Sequence, residues 1–380
     1  MAMNPTGTLE QLRHRIGLAA AETGKSRIQL LREAMALRYR WNKLGFSEFF
    51  NYGLYDPGRV SPDEATTFIN VGFCYQIWEE LNPVEYWGIA RDKPMFQLLM
   101  ERMGFDQPDL VAIYDRDGRK VPGTPCFADL SAFGDFLRGY GEYPVFIKPS
   151  DGFGGHGSFG LAAYDAHRGT FTQKNGETIP EADLWQAIAQ RQCYVVQKDL
   201  ATNAELADIV GRAISTLRVV ITFSRKNGPR IFRVIWRIPS RGNVIDNFWR
   251  VGNYVAQLEQ PSGEVYSVVE STDDGYVNRT SADPIGARLL GTVPPDFQRA
   301  VDLAMEAATV FPMFSYQAWD IALTDRGPMI LELNHNGDIE LLQVGARRGI
   351  LDGAFKELLE ERGVSLQRPY RWDQWAHRKR

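Results

Sequence analysis

Apolar residues follow two spacings along this chain, one typical of helices and one typical of strands. From about residue 7 to residue 45 they recur every three or four positions, which predicts helices. The same spacing returns in residues 297–308, after Pro294 and Pro295, and predicts an amphipathic helix that begins beyond the two prolines. Shorter helical patterns lie at 95–103, 127–137, 183–190 and 350–361.

Runs of β-branched and aromatic residues predict strands through the middle and the later part of the chain. The clearest buried strand runs from Val145 to Ile147 and is followed by polar and glycine residues. Asn175-Gly176 has the composition of a tight hairpin turn. Residues 273–284 show neither pattern, and we expect them to form a loop. Further strands are predicted at 111–114, 194–200, 216–223, 230–238 and 249–258.

The composition is that of an ordinary globular protein, and it narrows the range of partners. With 380 residues the chain is long enough for two or three domains. Its formal net charge of −4 gives no reason to expect nucleic acid as a partner. It has no apolar run near the roughly 20 residues that span a bilayer, and its first residues lack the apolar core of a signal peptide, so we expect a cytoplasmic protein. Its three cysteines have no metal-like spacing, and we expect reduced thiols.

A glycine-rich segment directly follows the strand that ends at Ile147. It begins with Lys148 and carries five glycines, Gly152, Gly154, Gly155, Gly157 and Gly160. Glycines allow positive φ and leave backbone N–H groups bare, which suits a phosphate chain, and the lysine adds a positive charge. A Walker A loop and a dinucleotide-binding loop are excluded because the lysine precedes the glycines and residues 158–164 show no helical period. We therefore expect a hairpin that folds over a nucleotide as a lid, with a flexible surface hairpin as the alternative.

A second candidate site lies in residues 318–334, which resemble two strands joined by a short loop. If the loop has three residues, the strand register places Asp320 directly opposite Glu332 on one face, with Asn334 as a diagonal neighbour. Two carboxylates so close repel each other unless a cation lies between them, and with one amide oxygen they form the hard-oxygen set that holds Mg²⁺. A polar face on an edge hairpin is the alternative, and a four-residue loop would send Asp320 to the other face.

Three arginines, Arg218, Arg233 and Arg237, lie among apolar residues of the predicted strands. Buried arginines meet an acid or a bound anion, so structural ion pairing and function are both open for each of them. A phosphate-binding hairpin and a Mg²⁺ hairpin, separated by strands that carry arginines, indicate the use of ATP. The five histidines show no zinc-ligand spacing, and the sequence contains no Gly-x-Ser-x-Gly motif of a serine hydrolase.

The order of these motifs resembles the ATP-grasp superfamily, and most closely its sugar-transfer-associated members, over residues 92–352. The matching elements are Asp92-Lys93, the segment from Phe146 to Gly157, Val196 to Leu200, Ser215 to Thr222, Val244 to Asn247, Trp319-Asp320 and Leu331 to Asn334. In relatives the Val244 to Asn247 element leads to a Gly-Gly pair, where this chain has Val251-Gly252-Asn253. The implied fold is α+β, the ATP-grasp fold, in which two α+β subdomains grip ATP, here with a helical N-terminal region.

The resemblance also implies roles for single residues. Lys93 and Lys148 correspond to the two phosphate lysines of the family, and Arg218 to the arginine that faces the transferred phosphate. The lid residues implied to contact the nucleotide are Gly152, Gly154, Gly155, His156 and Gly157. The implied adenine contacts are the side chain of Gln197, the backbone carbonyl of Lys198 and the backbone N–H of Leu200. The implied Mg²⁺ ligands are Asp320, Glu332 and Asn334. From its charge and position, we expect Arg237 to clamp a substrate carboxylate.

The implied activity is that of an ATP-dependent carboxylate–amine ligase that uses ATP and Mg²⁺. A substrate carboxylate attacks ATP to give an acyl phosphate, and an amine then displaces phosphate. We expect small-molecule carboxylate and amine substrates, in the tailoring of a polysaccharide precursor or a peptide natural product, with a homodimer left open. A sugar or polyol kinase and a non-catalytic ATP-binding module are the alternatives.

The expected domains follow the same motifs. They are a mainly helical region at 1–90, a linker with the first phosphate lysine at 91–140, the lid subdomain at 141–200, a C-terminal subdomain with the Mg²⁺ site at 201–365, and a polar tail at 366–380.

Overall fold

The computed structural model describes residues 9–39, 44–152, 154–273 and 275–365. The described residues form twelve α-helices, fourteen β-strands and three short 3-10 helices. The α-helices are α1 (Leu9–Thr23), α2 (Arg27–Arg38), α3 (Phe46–Asn51), α4 (Val71–Leu81), α5 (Trp87–Arg91), α6 (Lys93–Arg102), α7 (Leu130–Gly139), α8 (Glu181–Ile188), α9 (Ala207–Val210), α10 (Pro284–Leu289), α11 (Phe297–Ala308) and α12 (Gly353–Glu361). The 3-10 helices are Glu64–Thr67, Val84–Tyr86 and Ala204–Leu206. Each helix of the described part is too short or too polar to cross a bilayer.

The strands form two sheets of seven strands each. They are β1 (Leu110–Asp115), β2 (Cys126–Phe127), β3 (Val145–Pro149), β4 (Phe159–Asp165), β5 (Thr170–Gln173), β6 (Thr178–Pro180), β7 (Cys193–Lys198), β8 (Thr216–Ser224), β9 (Gly228–Ile238), β10 (Tyr254–Leu258), β11 (Val265–Thr272), β12 (Gly275–Arg279), β13 (Tyr316–Thr324) and β14 (Gly327–Asn334). The first sheet therefore contains all strands up to β7, and the second contains the rest.

The first sheet has the order β2-β1-β7-β3-β4-β5-β6, with β1 and β2 parallel and the other neighbours antiparallel. Val145 and Ile147 of β3 are fully buried in a core that includes Phe133 of α7 and Leu184 of α8. Because side chains alternate along a strand, Lys148 faces away from these helices. This alternation turns the lysine towards the second half of the molecule.

The second sheet is antiparallel throughout, in the order β12-β11-β10-β9-β8-β13-β14. Helix α11 covers one face with small buried residues such as Ala300. The N-terminal helices and α12 cover the other face, where Ala318 and Val220 are buried. Asp320 and Arg218 lie two residues from Ala318 and Val220, so they share the face that the N-terminal region covers.

Two of the N-terminal helices, α2 and α4, begin at polar caps, and this region is fixed to the second sheet by buried polar contacts. Ser26 accepts a hydrogen bond from the backbone N–H of Gln29 at the start of α2. The side chain of Asn82, fully buried after α4, donates to the carbonyl of Tyr316 at 2.7 Å and accepts from its N–H at 3.1 Å. These contacts join the N-terminal region to β13, the strand that carries Asp320.

Most predicted elements are present, and two predictions were wrong. The expected loop at 273–284 contains β12, an edge strand that pairs Tyr276 with Ser271 of β11. This strand is short, and its residues are partly or fully exposed. It lacks the alternation of apolar and polar residues that indicates a strand with one buried face, so the hydrophobic pattern did not predict it. The strand expected from residue 249 begins only at Tyr254, because residues 249–253 form a turn closed by the buried side chain of Asn253.

The lid hairpin, the hairpin at Asn175-Gly176 and helix α11 form as predicted. The two helices predicted within residues 7–45 are α1 and α2. Residues 366–380, the predicted polar tail, lie outside the described residues. The domain boundaries stay a prediction.

Candidate active site

The glycine segment after Lys148 forms the tip of the β3–β4 hairpin. Gly154, Gly155 and Gly157 have φ of 64°, 71° and 79°, a conformation that favours glycine over residues with a side chain. Gly152 has an ordinary φ, but a Cβ there would lie 2.9 Å from Cγ of Pro149, so this position needs glycine for space. The sequence prediction of positive φ therefore holds for three of the five glycines.

The tip of this hairpin packs against residues 245–247 of the other half of the molecule. Asn247 Nδ2 donates to the carbonyl oxygen of Gly154 at 2.8 Å. A Cβ on Gly155 would lie 2.7 Å from Cγ2 of Ile245, so the backbone approaches this side chain closely. His156 is exposed on the lid. The lid thus contacts the β9–β10 connection directly.

That connection is itself fixed by one buried amide. Asn253, fully buried, donates from Nδ2 to the carbonyls of Ile245 and Asn247, each at 2.8 Å, and its Oδ1 accepts from the backbone N–H of Ser240. This asparagine lies in the Val251-Gly252-Asn253 segment, where relatives were expected to have a Gly-Gly pair. Its side chain holds the loop that meets the lid.

Lys93 reaches the lid from the first turn of α6, whose N-terminus is capped by the side chain of Asp92. Its Nζ donates to the carbonyls of Ser150 and Gly152 at 3.2 and 3.0 Å. The same Nζ lies 3.6 Å from Oε2 of Glu332 on β14. One lysine therefore links the base of the lid to the acidic hairpin.

Lys148 is half-buried and is surrounded by charges of both signs. Burial and the nearby charge of Lys93 lower the pKa of Lys148 to about 8, while Glu332 and Asp320 act in the opposite direction. Within the described part of the chain, no acceptor lies within hydrogen-bonding distance of its ammonium group. Its charge is therefore available to an anion in the cleft.

The acidic hairpin places Asp320 opposite Glu332, as predicted, but by a different route. The turn contains two residues and not three, because Thr324 pairs with Gly327. A β-bulge then shifts the register by one residue, leaving Leu331 as the extra residue of β14. The bulge offsets the shorter turn, so the two acids face each other.

Asp320 is 2% exposed and is paired with two arginines. Arg218 donates to both of its oxygens at 2.8 and 3.0 Å, and Arg237 lies 2.9 Å from Oδ2. Burial would raise the pKa of Asp320, but the two guanidinium groups hold it well below its usual range. Arg233 is different: it pairs with Asp352, the residue before α12, at 3.3 Å, and donates to the carbonyl of Gly349 at 3.1 Å.

Arg237 is held by more than one partner. Its guanidinium donates to Oγ1 of Thr216 at 2.7 and 3.0 Å and lies 3.3 Å from Oδ2 of Asp246. The hydroxyl of Thr216 donates in turn to the same carboxylate. Burial raises the pKa of Asp246. Arg237 is thus fixed in orientation at the edge of the cleft, between Asp246 and Asp320.

A cavity of about 400 Å³ lies beside Asp199 and Leu200, directly after β7, the strand of the predicted adenine contacts. Gln197 pairs with Phe146 of β3 and lies on the same face of the sheet as Lys148, but its amide already donates to Oε1 of Gln97 at 2.7 Å. The Lys198 side chain turns outwards to Glu142, and the contact of its backbone carbonyl with adenine stays a prediction. The cavity walls include Pro144, Lys174, Asp199, Leu200, Thr202 and Arg212.

Comparison with known proteins decides the family. The sequence pattern of the sugar-transfer associated ATP-grasp family matches residues 74–356. The chain belongs to this family. The match confirms the predicted resemblance and the α+β ATP-grasp fold, and with them ATP and Mg²⁺ as the predicted cofactors.

Solved structures of ATP-grasp ligases are similar to the chain at low identity. The D-alanine–D-alanine ligase of Helicobacter pylori is 11% identical, with 75% of this chain and 63% of that chain covered and a TM-score of 0.40. The ATP-grasp ligase PsnB, complexed with minimal precursor, is 14% identical, with 87% and 75% covered and a TM-score of 0.39. The chain spans less than two thirds of the Helicobacter enzyme's length. No curated protein matches the chain.

The acidic hairpin of this ATP-grasp protein fits a Mg²⁺ ion when the side-chain amide of Asn334 is rotated. Asn334 Nδ2 lies 3.2 Å from Oδ2 of Asp320 and 3.2 Å from Oε1 of Glu332, so the three side chains converge on one point. A half-turn of the amide presents its oxygen there and completes a hard-oxygen set. The described residues contain no group of three or more acidic, histidine or cysteine side chains that could hold a metal ion. Mg²⁺ prefers six oxygen ligands, and nucleotide phosphates and water would complete the set that Asp320, Glu332 and Asn334 begin.

Three residues of this ATP-grasp site were not among the predicted site residues. Asp246 orients Arg237, Gln97 engages Gln197, and Asn253 holds the loop under the lid. Asp246 lies in the Val244 to Asn247 motif, and that motif was the signal that could have identified it. Asn253 lies in the segment that departs from the family's Gly-Gly pair, and that departure was its signal. Gln97 acts through a contact 100 residues distant in the chain, for which the sequence carries no local signal.

Proposed function

We propose that this chain is an ATP-dependent carboxylate–amine ligase that works through an acyl phosphate. The observation that carries the proposal is the contact of Lys93 with both sides of one cleft. Its Nζ donates to the lid backbone at Gly152 and lies 3.6 Å from Glu332. These contacts bring Lys93, a proposed phosphate ligand, to the same cleft as Glu332, a proposed metal ligand, which supports phosphoryl transfer from ATP.

In the first step, an oxygen of the substrate carboxylate attacks the γ-phosphorus of ATP. The new P–O bond forms as the bond to the β-phosphate oxygen breaks, giving an acyl phosphate and ADP. Lys93, Lys148 and Arg218 offset the negative charge of the transferred group. Mg²⁺, when held by Glu332, Asp320 and Asn334, adds neutralisation of the phosphate oxygens.

In the second step, an amine attacks the acyl carbon. The C–N bond forms, the bond from carbon to the phosphate oxygen breaks, inorganic phosphate leaves, and the nitrogen loses a proton. The lid closes over this intermediate and keeps out water, which would hydrolyse it. The contact between Asn247 and the backbone of Gly154 is the one that would hold the lid in place.

Arg237 is proposed to orient the substrate carboxylate. Its guanidinium is fixed by Thr216, Asp246 and Asp320, which removes the entropy cost of ordering a long side chain when the substrate binds. Since part of its charge is already offset by these acids, its role is to position the carboxylate more than to attract it. The reaction is proposed to take place in the cytoplasm, on a polysaccharide precursor or a peptide natural product.

The test is ADP and phosphate release from ATP and Mg²⁺ with pools of acids and amines, with hydroxylamine added as a trap. A ligase gives an acyl hydroxamate, because hydroxylamine captures the acyl phosphate. A phosphorylated product without hydroxamate would replace the ligase by a sugar or polyol kinase. No turnover with any pool would favour a non-catalytic ATP-binding module.

A further inference from the structure

A group of acidic and phenolic side chains lies where the N-terminal helices meet the segment after β14. We call it the Glu340 cluster, and its members are Glu48, Tyr52, Tyr276, Asp338 and Glu340. Glu48 lies in α3, Tyr52 directly follows that helix, and Tyr276 lies in β12. These residues come from parts of the chain that are up to 292 positions apart, so the cluster exists only in the folded molecule.

The three carboxylates of the cluster differ in their partners. Glu48 is 8% exposed and accepts from the backbone N–H of Gly45 and Val71 and from Asn70, so it is fully used by the fold. Asp338 accepts from the backbone and from one indole. Glu340, half-buried, has no hydrogen-bond donor or ion-pair partner among the described residues.

Two hydroxyl groups of the cluster are also without partners. Tyr52 is 3% exposed, and the phenol oxygens of both Tyr52 and Tyr276 are buried with no hydrogen-bond partner in the described part of the chain. Burial raises the pKa of both phenols, and Glu340 is the charged group that raises it most. Both are therefore neutral hydroxyls near Glu340, and a buried polar group without a partner is unfavourable unless a ligand supplies one.

The charges around Glu340 are mostly negative. Burial, followed by the charges of Asp338 and Glu48, raises the pKa of Glu340 to about 8, so this carboxyl group is largely protonated at neutral pH when no cation is bound. Arg15 is the cation that acts against them, and its guanidinium also donates to Asn51. The remaining neighbours of the two phenols are uncharged at neutral pH, among them the buried thiol of Cys74. Arg38 acts on Glu48 as Arg15 acts on Glu340. A bound cation would favour the ionised form of Glu340 over its protonated form.

The Glu340 cluster adjoins the phosphoryl-transfer site. The indole of Trp249 donates to Oδ2 of Asp338 at 2.9 Å. Trp249 is two residues beyond Asn247, which contacts the lid. Asp338 is also one of the charges that raise the pKa of Arg218, although burial opposes it. A substrate bound in the cluster would therefore lie next to the loop that the lid covers.

We propose that the Glu340 cluster binds the ammonium group of the second substrate, a primary amine. A primary ammonium has three N–H donors, and the Glu340 carboxylate and the phenol oxygens of Tyr52 and Tyr276 are three acceptors without partners in the described part of the chain. This inference rests on the proposed function, because it names the class of amine that the ligase uses. Neutral alcohols of the same size lack the charge that the carboxylates require and bind poorly.

The test compares amines with matched alcohols by ligand-detected NMR titration of the full chain without ATP. The probes are 2-aminoethanol against 1,2-ethanediol and glucosamine against glucose. The amine of at least one pair is expected to bind at least tenfold more tightly than its alcohol. Glu340→Gln is expected to reduce that preference to within twofold, while Glu360→Gln, an exposed glutamate of α12, leaves it intact. Equal binding within each pair, no binding of any probe, or a preference that survives in Glu340→Gln would overturn the inference.

A second variant separates binding from a role in the fold. Tyr276→Phe removes only a hydroxyl without a partner, so it is expected to weaken amine binding at least threefold and to leave the unfolding temperature unchanged. A lower unfolding temperature with unchanged amine binding would make the hydroxyl structural and would contradict the inference.

The two proposals can fail separately. Lys148→Ala is expected to stop ADP release and to keep the preference for amines, because the lysine lies in the ATP site. Hydroxamate formation without any amine preference would contradict the Glu340 cluster alone. Amine preference without hydroxamate would contradict the ligase alone.

Discussion

Lys148 carries its charge at a position where burial opposes it. Burial and Lys93 lower its pKa from 10.5 to about 8 in the folded protein, while in the unfolded chain it returns to the higher value. Between these two pH values the unfolded chain binds more protons than the folded one, so the stability of the folded state rises with pH. A bound nucleotide would offset the free-energy cost of burying the charged Lys148 side chain, because its phosphate oxygens accept hydrogen bonds from the ammonium group.

The pH dependence of stability therefore has a defined sign. Without nucleotide, the free energy of unfolding of the wild type should rise relative to Lys148→Met between about pH 8 and pH 10.5, by at most about 3 kcal/mol. Urea unfolding of both proteins across this range measures the difference, and the methionine variant cancels the contributions of all other groups. A difference that stays flat, or falls as the pH rises, would contradict the burial of a charged Lys148.

Single residues also show what the sequence could and could not predict. Asp320, Glu332 and Asn334 were expected on one face from strand alternation and an assumed three-residue loop, and they are found there although the loop is shorter. The pairing of Asp320 with Arg218 and Arg237 was not predicted, because ion pairs across three strands depend on the order of strands in the sheet. Sequence indicates which residues carry charge, whereas the sheet decides which charges meet.

At the scale of elements, turns were harder to predict than strands. The hairpin of β13 and β14 was expected from its apolar runs, but its turn is one residue shorter and a bulge at Leu331 restores the register. Both features are small changes in backbone conformation that apolar patterns do not encode. The expected opposition of Asp320 and Glu332 was correct, although the three-residue loop was wrong.

The lid provides the second test at this scale. Gly155→Ala adds a Cβ 2.7 Å from Ile245 at a φ of 71°, so the lid cannot settle on the β9–β10 connection, and ATP turnover should fall at least tenfold. The matched control is Gly176→Ala, which has a similar φ of 88° but nothing within 4 Å of the added Cβ. It should cost about 1–2 kcal/mol of stability and leave turnover within twofold.

A double variant tests whether the clash between the added Cβ at residue 155 and Ile245 causes the loss of turnover. Ile245→Ala combined with Gly155→Ala should recover part of the lost turnover, since the side chain that meets the new Cβ is removed. Steady-state ADP release measures all three proteins. Equal losses in Gly155→Ala and Gly176→Ala, with no recovery in the double variant, would show that the lid does not need this contact.

At the scale of the whole molecule, the N-terminal region and the second sheet share one hydrophobic core. Leu30 and Phe68 belong to the same buried cluster as Val220 and Ile235 of the sheet. We propose that residues 1–90 fold only with the C-terminal subdomain and shape its substrate side. The helices of this region could be predicted from their period, but the surface they cover could not, because it depends on contacts more than 130 residues apart.

Asn82 tests this shared core directly. Asn82→Ala removes the amide that serves the backbone N–H and carbonyl of Tyr316 in a fully buried site, and it should lower the free energy of unfolding by about 2–5 kcal/mol. Asn227→Ala, in an exposed turn, should change it by less than about 0.5 kcal/mol. Urea unfolding measures both. A loss at Asn82 no larger than at Asn227 would mean that the N-terminal region is not fixed to β13 by this contact.

The central claim is that a triphosphate lies between the lid lysine and the acidic hairpin. It is tested most directly by ADP release from ATP and Mg²⁺ in Lys148→Ala and Glu332→Ala, beside Lys226→Ala and Glu306→Ala as exposed controls. The first pair should lose at least 100-fold of the turnover while their unfolding temperatures stay near that of the wild type, and the controls should stay within twofold. Unchanged rates in both Lys148→Ala and Glu332→Ala would contradict the proposed site.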